Sequence, residues 1–219
     1  MKTLLLILIA SFPWSIDQQE IDSTPYMKAM SLAVTALEES NSAVELQECK
    51  DSFDRMVKLY KKQWLPMYYS AYCSIELVYW DHKNRALNEE RLETAEKLLH
   101  KLDKMDKVDR SEVANLWGYY YMCLISTDPL LYAYKHFETT IEKFREALEY
   151  NPENPRPIVL LVLFEQRFKD RVHYEVNHEQ KKELAEEFFK KETRNFETPY
   201  WGREFLDGIQ IDKKKKKKK

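Results

Sequence analysis

Three glycines in 219 residues, Gly118, Gly202 and Gly208, leave this chain almost no means of building a sheet protein. Tight hairpin turns draw on glycine for backbone angles that other residues resist, and a sheet fold of this length needs many of them. The chain carries instead long stretches in which apolar residues recur every three or four positions, separated by short polar or proline-bearing breaks. The expected fold class is therefore all-α. Aromatic residues make up 13% of the chain, 14 of them tyrosine, which is ample apolar area for a packed core and excludes a disordered chain.

Ser23, Thr24 and Pro25 mark a helix start, and Met27, Met30, Ala33, Val34 and Leu37 share one face up to about Ser40. A second helix is expected from about Ala43 to Lys62, and a third from Trp64-Leu65-Pro66 to Trp80. After the polar loop Asp81–Asn84, a fourth runs from about Asn88 to Met105. Ser111 is expected to cap a fifth that ends near Ser126, and Asp128-Pro129 starts a sixth that reaches Tyr150. The seventh opens after Asn151–Pro157 and is apolar nearly all round over Ile158–Phe164, so it belongs in the centre. An eighth spans about Glu179 to Thr193. Pro199–Phe205 is expected to form a short closing helix, with Trp201 as an aromatic cap over the last hairpin.

Eight helices in four hairpins point to an α-solenoid. Phe144 and Ala147 lie on one helix face, and Pro152 forbids that helix to continue. The set repeats at Leu99, Leu102 and Lys107, 45 residues earlier, while Ala71, Gly118 and Val162 mark corresponding positions in the odd helices at shifts of 47 and 44. These shifts exceed the 34 residues of a tetratricopeptide repeat, the extra length falling between paired helices, as at Thr127–His136. On Gly118, Tyr121, Phe144, Ala147 and Pro152 the chain resembles tetratricopeptide-repeat proteins. In the order of Trp64-Leu-Pro-Met-Tyr68-Tyr69, Ala71, Asp128-Pro129, Asn151-Pro-Glu-Asn-Pro-Arg156 and Pro199-Tyr-Trp201-Gly202 it is similar to exported TPR-like proteins of Bacteroidetes. That resemblance implies a fold and a compartment, and brings no catalytic residues with it.

In stacked hairpins the first helices line a concave groove. With Ala71, Gly118 and Val162 as tight-packing positions, the groove-facing residues are expected to include Tyr68, Tyr72 and Glu76 in the third helix. In the fifth they are Asn115, Tyr119 and Met122, and in the seventh Gln166 and Arg167. Tyrosine offers large contact area with few rotors, and an Asn amide can hold a peptide backbone, so a protein or peptide partner is expected there. The competing reading makes these aromatics core between repeats.

The ends of the chain carry their own signals. Met1–Phe12 joins one lysine to about ten apolar residues, too few to span a bilayer and suited to a signal peptide over residues 1–18, which implies a periplasmic or secreted protein. The repeat domain then covers 19–212, and Lys213–Lys219 forms a lysine tail expected to be disordered. Thirty-five basic and 37 acidic residues give a net charge of −2; setting aside Lys2 and the seven tail lysines leaves 27 basic residues and a net of −10. The acidic body argues against nucleic acid as a partner. The alternative function is an envelope-associated structural protein whose lysine tail contacts anionic surface polymers. A ligand carrier or hydrolase with convergent polar groups in one deep pocket is a third.

No nucleophile elbow, HExxH, P-loop or dinucleotide fingerprint occurs. His173 and His178 stand five apart with Glu175 between them, a spacing that helical metal pairs avoid. Cys49, Cys73 and Cys123 lack CxxC spacing and read as small buried hydrophobes. The sequence thus points to a non-enzymatic binding protein with no cofactor and no metal.

Overall fold

Seven of the eight described α-helices start where the sequence offers a side chain to bond a free N–H group. The computed structural model describes residues 24–169 and 177–211. Among them are α1 (Pro25–Glu39), α2 (Ala43–Leu59), α3 (Leu65–Trp80), α4 (Arg85–Asp103), α5 (Arg110–Thr127), α6 (Pro129–Tyr150), α7 (Pro155–Arg167), α8 (His178–Lys191) and a 3-10 turn, Arg203–Gly208; no strand occurs among the described residues. Thr24, Ser42, Asn84, Asp109, Asp128, Asn154 and Asn177 each accept a hydrogen bond from a backbone N–H of the first turn. Prolines in the first turn of α1, α3, α6 and α7 occupy positions whose missing N–H costs nothing. The expected signal peptide (1–18) and lysine tail (213–219) lie outside the described residues, as do His173 and Glu175.

Two helix starts differ from expectation. Asp109, not Ser111, caps α5, accepting from the Glu112 N–H at 3.1 Å. Ser111 is already inside the helix, where its buried hydroxyl donates to the Ala147 carbonyl at 2.8 Å and ties α5 to the end of α6. In α4 the cap is Asn84, so the helix begins at Arg85, about one turn before the expected Asn88.

Each helix packs on the next, and α5 also packs on both α3 and α7. This inner row is buried on nearly every side: thirteen of the sixteen residues of α3 are buried, including Tyr68, Tyr69 and Ile75. By contrast α2, α4, α6 and α8 bury one stripe each. Gly118 explains the closest approach. A Cβ there would stand 2.5 Å from the Phe144 ring, so the glycine of α5 and the phenylalanine of α6 are two halves of one contact. The three cysteines are buried and free, and burial pushes the Cys73 and Cys123 thiols well above their ordinary range.

The chain end departs most from expectation. No closing α-helix forms over Pro199–Phe205; residues 192–202 are extended or bent, and the 3-10 turn follows Gly202, whose φ of 97° a side chain would resist. Trp201 does cap the fold, but over α3 and α5 rather than the last hairpin. Its indole N–H donates to the Tyr68 hydroxyl at 2.9 Å, and the Tyr200 N–H donates to the Tyr69 hydroxyl at 2.9 Å. Arg194 reaches back to Glu38 at 2.7 Å and Thr35 at 2.6 Å on α1.

Candidate functional site

The residues expected to line a concave groove are brought together, yet they do not face solvent. Tyr68, Tyr72, Asn115 and Tyr119 are buried, Glu76, Met122 and Gln166 partly so, and Arg167 alone is exposed. The reason is the chain end: Trp201 lies 4.5 Å from Tyr72 and 5.8 Å from Tyr119 by ring centroids, and Phe205 lies 5.9 Å from Tyr119. A solvent-facing groove along these three helices is therefore corrected to a face covered by the protein's own C-terminal segment. Gln166 is taken up in the same way, its amide exchanging hydrogen bonds with the Gln210 backbone at 2.6 and 3.0 Å.

Beneath that cover is a buried ionic cluster that the sequence did not announce. Arg156, 2% exposed, donates to Glu112 at 3.1 Å, to Glu192 at 2.7 Å and to the Pro199 carbonyl at 2.7 Å. Glu112 also accepts from the Tyr68 hydroxyl at 2.8 Å and from the Asn154 amide at 2.8 Å. Burial raises the Glu112 carboxyl, with Arg156 opposing; for Arg156 burial opposes the charge, and the two carboxylates outweigh it and raise the guanidinium further. Asn115 shares the Glu112 and Tyr119 face of α5, and neither end of its amide has a partner among the described residues.

The open site lies on another side, between α3, α4, α5 and α6. It is a cleft of about 770 Å³. Tyr79 of α3, Tyr120 of α5 and Tyr132 of α6 give it aromatic walls, and Val78, Leu92 and Leu124 an aliphatic floor. His82, Arg85 and Arg167 bring positive or protonatable groups to it, while Glu89, Glu93, Glu96 and Asp128 make one side acidic. The Tyr79 hydroxyl is buried with no hydrogen-bond partner among the described residues, and burial raises the Tyr79 and Tyr120 hydroxyls above their ordinary range. Arg85 bonds Glu89 at 3.0 Å across one turn of α4, which raises its already high pKa. Leu130 and Tyr134, flanking the lining residue Tyr132, are 95% and 98% exposed.

Of the eight residues expected to form a site, Arg167 alone lines this cleft. The others missed a signal that the repeat lengths did carry. The residues in excess of a 34-residue repeat are extra helix: α6 begins at Pro129 and α4 at Arg85, and these added turns supply Arg85 and Tyr132 to the cleft. Elsewhere, His178 sits 3.3 Å from the buried Glu165, and no cluster of three metal-ligating side chains occurs among the described residues.

Fold and cleft together define an all-α protein with a pocket of small-ligand size. No known protein family matches the chain, and no protein of described function matches its sequence. Its fold is similar to that of the HusA haemophore from Porphyromonas gingivalis, with a TM-score of 0.72 and 22% identity over 85% of this chain and 94% of that one. No described helix is long and apolar enough to cross a membrane.

Proposed function

We propose that the protein is a non-enzymatic carrier that holds a planar, largely apolar, carboxylate-bearing ligand of the haem type in the cleft between α3, α4, α5 and α6. The observation that carries this reading is the cleft itself. Its volume of about 770 Å³ falls in the range of roughly 300–1,000 Å³ typical of small-molecule sites. Three tyrosines on three helices offer flat apolar contact. Arg167 and Arg85 suit ligand carboxylates, and His82 is the imidazole at hand for a bound iron. Here haem is cargo rather than a resident cofactor. The likeness to a haemophore supports the choice of ligand, and the opening apolar run supports an exported protein with a signal peptide over residues 1–18.

In this reading the hairpins are degenerate TPR-like repeats whose inner row serves as scaffold. Capture of a protein partner on the concave face is less well supported, because that face is filled. Titration with ferric haem and with metal-free porphyrin, followed by absorption spectroscopy, tests the assignment. Leu124→Trp, which fills the cleft, abolishes binding of both. His82→Ala alters the haem spectrum and leaves metal-free porphyrin binding unchanged. Equal binding by wild type and Leu124→Trp places the ligand elsewhere and overturns the reading.

A further inference from the structure

The C-terminal segment covers a carboxylate that has no cation beside it. Glu76 projects from α3 between Tyr72 and Tyr119, the two rings on which Trp201 and Phe205 rest, and accepts a hydrogen bond from the Tyr119 hydroxyl. Glu204, in the 3-10 turn of the same segment, is a second carboxylate acting on Glu76, and bonds the Gly202 N–H at 3.0 Å. The charged and titratable groups around Glu76 are thus Tyr72, Cys73 and Tyr79 on α3, Tyr119 and Cys123 on α5 and Glu204 on the segment. Arg167 of α7 acts on Tyr79 and Cys123 one layer further away. The cations at the segment are engaged by other carboxylates: Arg156 by Glu112 and Glu192, and the segment's own Arg203 by Glu192.

We propose that residues Pro199–Ile209 form a releasable strap over α3 and α5, and that ionisation of Glu76 releases it. Closed, the strap buries an uncharged carboxyl under aromatic rings. Ionised, Glu76 is largely cut off from water and repelled by Glu204, so both the desolvation cost and the repulsion fall when the strap leaves. The strap's remaining attachments are the Tyr68 and Tyr69 hydroxyls, Arg156 to Pro199, Arg203 to the Phe189 carbonyl and to Glu192, and the packing of Trp201, Phe205, Leu206 and Ile209, the 3-10 turn lying on α7 and α8.

Burial raises the Glu76 carboxyl to about 7, with Glu204 adding to the shift and Tyr119 opposing it. With the strap off, the same group returns toward the ordinary carboxylate value. A raised acid stabilises the closed state fully below its open-state pKa; that contribution declines as pH rises from about 4.5 to about 7 and stays lost above. Because Glu76 retains some exposure, the opening equilibrium changes by roughly ten- to a hundredfold over this window rather than by the full shift.

Hydrogen–deuterium exchange of the full chain, read on peptides covering 199–209 and corrected for intrinsic exchange rates, measures strap opening between pH 4.5 and 8. Opening is expected to increase at least tenfold, and Glu76→Gln, neutral at every pH, to stay at the low-pH level throughout. Protection that is flat with pH in the wild type, or a wild-type profile retained in Glu76→Gln, overturns the proposal. Two further variants shift the midpoint oppositely: Glu204→Gln lowers it, and Tyr119→Phe, which loses the donor to the ionised form, raises it. An unmoved midpoint in both overturns the proposal even where Glu76→Gln fails to fold.

Discussion

The α3–α5 face beneath the C-terminal segment and the α3–α6 cleft are both lined by tyrosines and both lie against α5, yet one is filled and the other open. On the covered face Tyr68, Tyr72 and Tyr119 find their partners within the chain: Trp201, Glu112 and Glu76. In the cleft the rings of Tyr79, Tyr120 and Tyr132 surround space. A column of rings connects the two, with Tyr79 5.6 Å from Tyr119, Tyr119 6.4 Å from Tyr72, and Tyr72 4.5 Å from Trp201. The difference teaches that an aromatic stripe on an inner helix does not by itself mark a ligand site. What marks one is whether the rest of the chain completes its packing.

The comparison breaks most severely at Arg156. Replacing it with alanine leaves Glu112 buried without its cation, and such a loss costs about 3–5 kcal/mol. Chemical denaturation should show that loss in full. The double variant Arg156→Met with Glu112→Gln, which removes both charges, should recover a large part of it. Full recovery would mean that the covered face is held by shape and not by charge; no loss in the single variant would mean that the cluster is open to water.

Trp201→Ala tests the cover itself. Truncating a buried tryptophan in a core costs about 3–5 kcal/mol, and here the low end applies because the strap can re-settle on α3. The informative readout is the second one. If the covered face and the cleft are independent, porphyrin affinity is unchanged in the stably folded fraction. A weakened affinity would show that the ring column from Trp201 to Tyr79 supports the cleft wall.

Gly118→Ala probes the scaffold shared by both regions. The added methyl meets the Phe144 ring, and overpacking of this kind costs about 1–3 kcal/mol. Phe144→Leu in the same chain should restore most of the loss by thermal denaturation, since it removes the ring atoms nearest that methyl.

The all-helical fold was legible because its signals are local. Caps, first-turn prolines and the three-to-four spacing act within a few residues, and they placed α1, α3 and α6 closely. Gly118 and Phe144 were read as separate marks at repeat positions and prove to be one contact, which is why the register between them was informative. The expected site failed for a non-local reason. Nothing in the α3 or α5 sequence records that Trp201, more than eighty residues beyond Tyr119, lies on both. The cleft was illegible for a related cause: its lining comes from five helices and the loop after α3, and each contributes isolated residues such as His82 and Arg85 that read as loop or surface when taken alone. The one available hint was the excess of repeat length, which the structure spends on the turns that bear Arg85 and Tyr132.

Arg167 makes the finest test of the comparison, being the residue assigned to the concave groove by sequence and found at the cleft. Exposed and outside any described ion pair, it should contribute little to folding, within about 0.5 kcal/mol for Arg167→Ala. For binding, its guanidinium is the cation best placed to meet a ligand carboxylate without a competing acid in contact, whereas Arg85 is already engaged by Glu89. A charge-assisted contact of this kind at a solvent-open mouth is worth about 1 kcal/mol, so haem affinity should fall roughly fivefold. The loss should shrink with added salt and vanish for a porphyrin whose carboxylates are esterified. A loss identical for free acid and ester would assign Arg167 to packing against the ring and turn the ligand around in the cleft, its carboxylates toward Arg85.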